Sequence, residues 1–187
     1  MKQIFFWGLM AFLLTTSSGL ADDQLPERFE NLYEAMLTTG LEALNQERYV
    51  EAEKIFQRII SAADDPEATR PHIYLGICQN RMQQFEKGIK SLEIAIKRNT
   101  SFRDMVDFHL GIAYAKMKNP RAMVYLDGYI QAHPEDPTGY ETIGAFILEN
   151  PRLSQESKKG CGYLRKACLL GRCEALEFHK KENRCSE

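Results

Sequence analysis

The chain has 187 residues, with 24 Lys and Arg against 26 Asp and Glu, a formal charge of −2 and 44% hydrophobic residues. That is enough for one domain with a core of its own. Near-balanced charge without an extended basic block argues against a nucleic-acid partner.

The first predicted element is the stretch MKQIFFWGLMAFLLTTSSGLADD. Lys2 forms a short basic head, an apolar stretch runs from Ile4 to Leu14, and small residues lead to Ala21. This is the layout of a secretory signal peptide over 1–21, cut after Ala21. The apolar stretch falls short of the roughly 20 residues that a spanning helix needs. No Cys stands near the cut to take a lipid, and no later segment is apolar enough to span a bilayer. The expectation is a soluble exported protein, periplasmic or secreted, without an integral membrane segment after cleavage. Loss of Lys2, the one charge in the leader, takes the formal charge from −2 to −3.

Residues 22–187 read as one helical repeat domain. TTGLEALNQERYVEAEKIFQRII, YLGICQNRMQQFEKGIKSLEIAI and HLGIAYAKMKNPRAMVYLDGYI align on Gly40, Gly76 and Gly111, and Gly144 continues the series. The steps of 36, 35 and 33 residues fit arrays of helix pairs. Ala52, Phe56 and Ile59 follow Gly40 at the offsets at which Gly88, Leu92 and Ala95 follow Gly76. A small residue is needed where two helices cross closely, and a large apolar one fills the space a turn later. In the third unit the turn is one residue shorter, and Asn119-Pro120 makes it. The predicted units are about 33–66, 69–102, 104–136 and 137–172.

These motifs resemble the tetratricopeptide repeat family, most clearly in RYVEAEKIF, YLGICQNRMQQFEKGIKSLEIAI and HLGIAYAK, over roughly Tyr33 to Pro137. The resemblance implies an all-α fold, a right-handed superhelical array of antiparallel helix pairs. The early bulky place of the first helix holds Met36, His72, Asp107 and Tyr140, of which His72 and Asp107 depart from the family pattern.

In the fourth unit ENPRLSQESKKG enlarges the turn, and Gly160, Leu164 and Ala167 restore the spacing of Gly88, Leu92 and Ala95. Gly171 is placed to end that helix. A cap helix over about 173–183 follows, with Ala175, Leu176 and Phe178 as its apolar face. YLRKACLLG is similar to phrases of Cys-rich, SEL-like helical repeats of secreted bacterial proteins.

Four of the five cysteines lie in this end. Cys161 and Cys168 share a helix face and stand roughly 10 Å apart along the axis, too far to bond each other. An even count in an exported chain favours disulfides over metal. Hairpin geometry suggests Cys161 with Cys185 and Cys168 with Cys173; the crossed pairing, Cys161 with Cys173 and Cys168 with Cys185, is the alternative. Cys78, inside a repeat helix, reads as a small buried hydrophobe.

No catalytic motif is present: His72, His109, His133 and His179 are scattered, no H-E-x-x-H, phosphate loop or nucleophile elbow occurs, and Cys168 and Cys173 have the spacing of half a zinc site but Cys161 and Cys185 stand alone. No catalytic residue, metal or cofactor is expected. Function then falls to the array's inner face, which in the family binds peptides or helices. The family's inward positions correspond to Leu37, Leu41, Leu44 and Asn45, to Ile73, Ile77, Asn80 and Arg81, and to Met105, Phe108, Ile112 and Lys116. Leu37 and Leu41 stand where some members hold the Lys and Asn that clamp a terminal carboxylate, which puts that mode in doubt. The favoured expectation is a non-catalytic adaptor or scaffold for another protein, with self-association as a variant. The alternative is a regulatory subunit or small enzyme of the cell envelope.

Overall fold

The computed structural model describes residues 24–62, 69–97 and 101–185, with side chains in the first segment from 31 onward; the predicted signal peptide lies outside them. Nine α-helices and one 3₁₀ helix make up the described residues, without a strand. They are α1 (Gln24–Asn45), α2 (Tyr49–Ala62), α3 (Thr69–Arg81), α4 (Phe85–Ile96), α5 (Arg103–Lys116), α6 (Arg121–Ala132), α7 (Pro137–Glu149), α8 (Ser157–Leu169) and α9 (Glu174–Lys181); the 3₁₀ turn Pro151–Glu156 precedes α8.

The helices pair where the glycines predict. A Cβ added at Gly40 would fall 2.6 Å from the Phe56 ring, and one at Gly76 would fall 2.6 Å from Leu92. Gly111 meets Leu126 at 2.6 Å and Gly144 meets Leu164 at 2.7 Å in the same way. Each pair is closed by a large side chain lying on a bare backbone, a contact that any side chain at the glycine would break. Phe56, Leu92, Leu126 and Leu164 are all fully buried, each worth about 2 kcal/mol of transferred apolar surface.

Three of the tight turns share one device. Glu47, Gln83 and Lys118 adopt positive φ (60°, 60° and 54°). Each donates its N–H to the carbonyl three residues back, and the next N–H reaches five back: Gln83 to Asn80 and Gln84 to Gln79, for example. These are Schellman caps, which satisfy the last carbonyls of α1, α3 and α5. Gly171 makes the same cap after α8, as its sequence position foretells. α7 ends differently. Asn150 is extended and almost fully buried, and its Oδ1 accepts from the Arg152 N–H, starting the 3₁₀ turn.

Every helix packs on its sequence neighbours, and among the described residues α1, α3, α5, α7 and α9 also touch in series. The even-numbered helices make no such contacts with one another. The array therefore curves with the odd helices on its inner side. One core runs from α3 to α7 and a second lies within the first pair and α3. A third, of Cys161, Leu164, Leu176 and Cys185, fixes the cap.

Buried polar groups tie the layers together. Ser91 Oγ donates to Gln79 Oε1 at 2.9 Å while Gln79 Nε2 donates to Glu53, joining α4, α3 and α2. Asp107, one of the two residues that depart from the repeat pattern, is buried but takes the Arg103 guanidinium at 2.9 and 3.0 Å.

The cap is stapled as the hairpin geometry suggests. Cys161 bonds Cys185 (Cα–Cα 5.7 Å) and Cys168 bonds Cys173 (Cα–Cα 4.1 Å), so the crossed pairing is excluded. The face of α9 differs from the expected one. Phe178 is 53% exposed, and His179, at 1%, enters the core beside Leu176. Residues three and four apart share a helix face, so Ala175, Leu176 and His179 turn inward together and Phe178 turns out.

Candidate functional site

The inner face holds a cleft of ≈ 490 Å³ between α5 and α7. Ile112, Ala145 and Phe146 give it apolar walls, and Lys116, Lys118 and Glu141 stand around it. Phe146 is 5% exposed and forms the floor rather than an open ring face. Glu141 is held from the cap side: Arg172 Nη2 lies 2.9 Å from its carboxylate, and Arg172 Nη1 donates to Thr138 Oγ1 at 3.1 Å. Arg172 sits between Gly171 and Cys173, inside the loop closed by the Cys168–Cys173 bridge. The short disulfide thus positions a cation over a carboxylate of the cleft.

The sequence-predicted face divides into three groups. Leu37 and Ile73 are fully buried, and Ile77 (6%) packs in the same core as Leu110 and Ile143. These three offer almost no surface to a partner, because they are packed inside the two cores, among side chains of both odd and even helices. Asn80 is also buried, and its Nδ2 donates to the His109 carbonyl at 3.0 Å. It is a tie between α3 and α5, not a groove residue. Leu41, Leu44, Met105, Phe108 and Ile112 are half-buried, and Asn45, Arg81 and Lys116 are exposed. Phe108 packs against Tyr129 of α6, the rings tilted by 32° with centroids 4.5 Å apart, so much of its ring is used within its own pair.

Only Ile112 and Lys116 of the predicted residues line the cleft. Its other wall, from α7, was not expected. The signal was present: Glu141, Ala145 and Glu149 stand relative to Gly144 as Phe108, Ile112 and Lys116 stand relative to Gly111.

Polar contacts brace the first turn of α5 and the junction of α6 with α7. His133 Nε2 lies 2.5 Å from Asp104 Oδ2, and the Tyr129 hydroxyl donates to Asp136 at 2.5 Å. The His133 contact holds the Asp104 carboxyl below its usual range, while burial and the Asp136 carboxylate push the Tyr129 phenol well up. Burial, then the Arg81 charge, pushes His109 down to about 4. His179 is lowered too, first by burial and then by Arg184. Cys78 is a buried free thiol, pushed up to about 12 by burial and Glu53, and so is unfit as a nucleophile.

No group of three metal-ligating side chains and no helix long and apolar enough to cross a membrane occurs among the described residues. No family model matches the chain, and no curated protein matches it either.

Proposed function

We propose that this chain is an exported, non-catalytic module of the tetratricopeptide type that binds another protein along its inner face. The observation that carries the reading is the cleft between α5 and α7: an apolar floor, rimmed by charged side chains, on the side where successive odd helices line up. Arrays of this construction use such concave surfaces for recognition, and a rimmed apolar recess is a usual mark of a contact site. Export is supported by the leader-like first residues and by two disulfides, which persist in oxidising compartments.

Affinity capture from the exported fraction of the native cells tests this, with wild type beside Ala145→Arg, which fills the cleft. A stoichiometric protein retained by wild type and lost with the variant supports the adaptor. Retention by both, or turnover of a substrate by the isolated chain, would favour another surface or an enzyme.

A further inference from the structure

Charge on the inner face is paired unequally. Of its carboxylates, Glu34 is neutralised by Arg70 at 2.7 Å and Glu141 by Arg172 at 2.9 Å. Glu149, at the rim, lies 4.0 Å from the buried His179. The exposed cations Arg81, Lys116 and Lys118 have no carboxylate within ion-pair distance among the described residues. Arg81 and Lys116 hold equivalent places in consecutive units, five residues after Gly76 and Gly111. Lys116 and Lys118 both border the apolar floor made by Ile112, Ala145 and Phe146. Lys116 and Lys118 thus stand unpaired beside the apolar inner cleft, whose rim also carries the exposed Glu149, and Arg81 repeats the Lys116 position one unit earlier.

We infer that the partner segment is acidic, carrying carboxylates that meet Lys116 and Lys118 around an apolar side chain seated in the cleft. This rests on the inner-face binding reading above. Charge-assisted bonds to carboxylates are stronger than neutral ones, and complementary potential chiefly sets partner choice and encounter rate. A basic segment would place like charges against this rim. Single-stranded nucleic acid also carries anions, but its bases need exposed aromatic faces for stacking; the cleft's one aromatic ring, Phe146, is buried. The arrangement therefore favours a peptide over an oligonucleotide.

The test uses the full exported chain, disulfides intact, against a displayed library of short peptides with one fixed Leu and randomised flanks. Asp and Glu should be enriched beside the Leu. The best acidic peptide should bind wild type about tenfold or more tighter than Lys116→Glu/Lys118→Glu, and more weakly as salt rises. Both positions are exposed, so the double variant should melt like wild type. Ala145→Arg should lose every selected peptide. Enrichment of neutral or basic flanks, or equal binding to the double variant, overturns the acidic segment and leaves the cleft as a peptide site. A single-stranded oligonucleotide that binds as tightly as the best peptide overturns the peptide assignment. No enrichment at all, with no amide shift in α5 or α7 on adding an acidic Leu peptide, overturns this inference and the binding reading together.

Discussion

Asn80 reaches from the end of α3 to the middle of α5, its Nδ2 donating to the His109 carbonyl at 3.0 Å, while its Oδ1 faces Gly88 across a gap too narrow for a Cβ. One side chain thereby fixes two spacings, between consecutive pairs and within a pair. An alanine Cβ at Gly88 would fall 2.2 Å from Asn80 Oδ1 and 3.0 Å from the Gly76 carbonyl oxygen. Asn80→Ala should cost about 1–2 kcal/mol through the lost buried bond, and Gly88→Ala about 1–3 kcal/mol through overpacking. Because the clash is mostly with Asn80, Gly88→Ala should cost less when Asn80 is already Ala. A denaturant double-mutant cycle reads that coupling; strictly additive costs would show that the two positions do not share a contact.

The positive-φ turns make a prediction in the stabilising direction. Gln83 and Lys118 hold a left-handed conformation that burdens any side chain. Gln83→Gly and Lys118→Gly should each stabilise by about 0.5–1 kcal/mol, the relieved strain exceeding glycine's added chain entropy. Gly171→Ala should act in the opposite sense by a similar amount, its φ being 98°. Chemical-denaturation midpoints check all three. Destabilisation by both new glycines would count against the cap assignment.

Acid should loosen the array through two histidines. His109 and His179 both titrate below the ordinary His value in the folded chain. A folded pKa below the unfolded one means that the unfolded chain binds more protons, so stability falls as pH drops below about 6.5. For His109 the loss continues to about 4 and should reach roughly 1–3 kcal/mol. His109→Gln should flatten the melting temperature between pH 7 and 4 relative to wild type. An unchanged slope in that variant would remove His109 as a cause. Acidic groups with lowered values, such as Asp104, add their own loss only at lower pH.

The two bridges should differ in worth. Cys161–Cys185 closes a separation of 24 residues and Cys168–Cys173 one of 5. Loop-entropy arguments assign about 3.5 kcal/mol to the first and about 2 kcal/mol to the second. Paired Ala substitutions, compared by denaturation and by protease cutting after Gly160, test this. Removing Cys161–Cys185 should free α9 first and leave the earlier pairs folded. Equal sensitivity of both variants would mean that loop length does not govern the cap.

How much of this could be read in the chain follows from what each residue must satisfy. The pairs were legible because a small residue is forced wherever Phe56, Leu92, Leu126 or Leu164 lies on a facing backbone. The bridge pairing was legible as the favoured alternative because a hairpin leaves few geometries. The turns were harder: Glu47, Gln83 and Lys118 perform a glycine's task without being glycine. The inner face was harder still. Ile77 and Ile112 occupy equivalent positions and have the same side chain, yet one is core and the other lines an opening. That difference depends on which side chains of the neighbouring helices pack over each position, which periodicity does not encode. In α9 the greater hydrophobicity of Phe178 misdirected the expected face, since the Leu176 and His179 positions decide it.

We propose that a partner docks on the inner face, at the cleft between α5 and α7. Photo-crosslinking in the native cells tests it most directly, with a photoreactive residue at Glu149 on the cleft rim or at Val124, which is 71% exposed on α6 of the outer rank. Docking at the cleft predicts one discrete protein adduct from position 149 and none from position 124. A discrete adduct from position 124 with none from position 149 would contradict it.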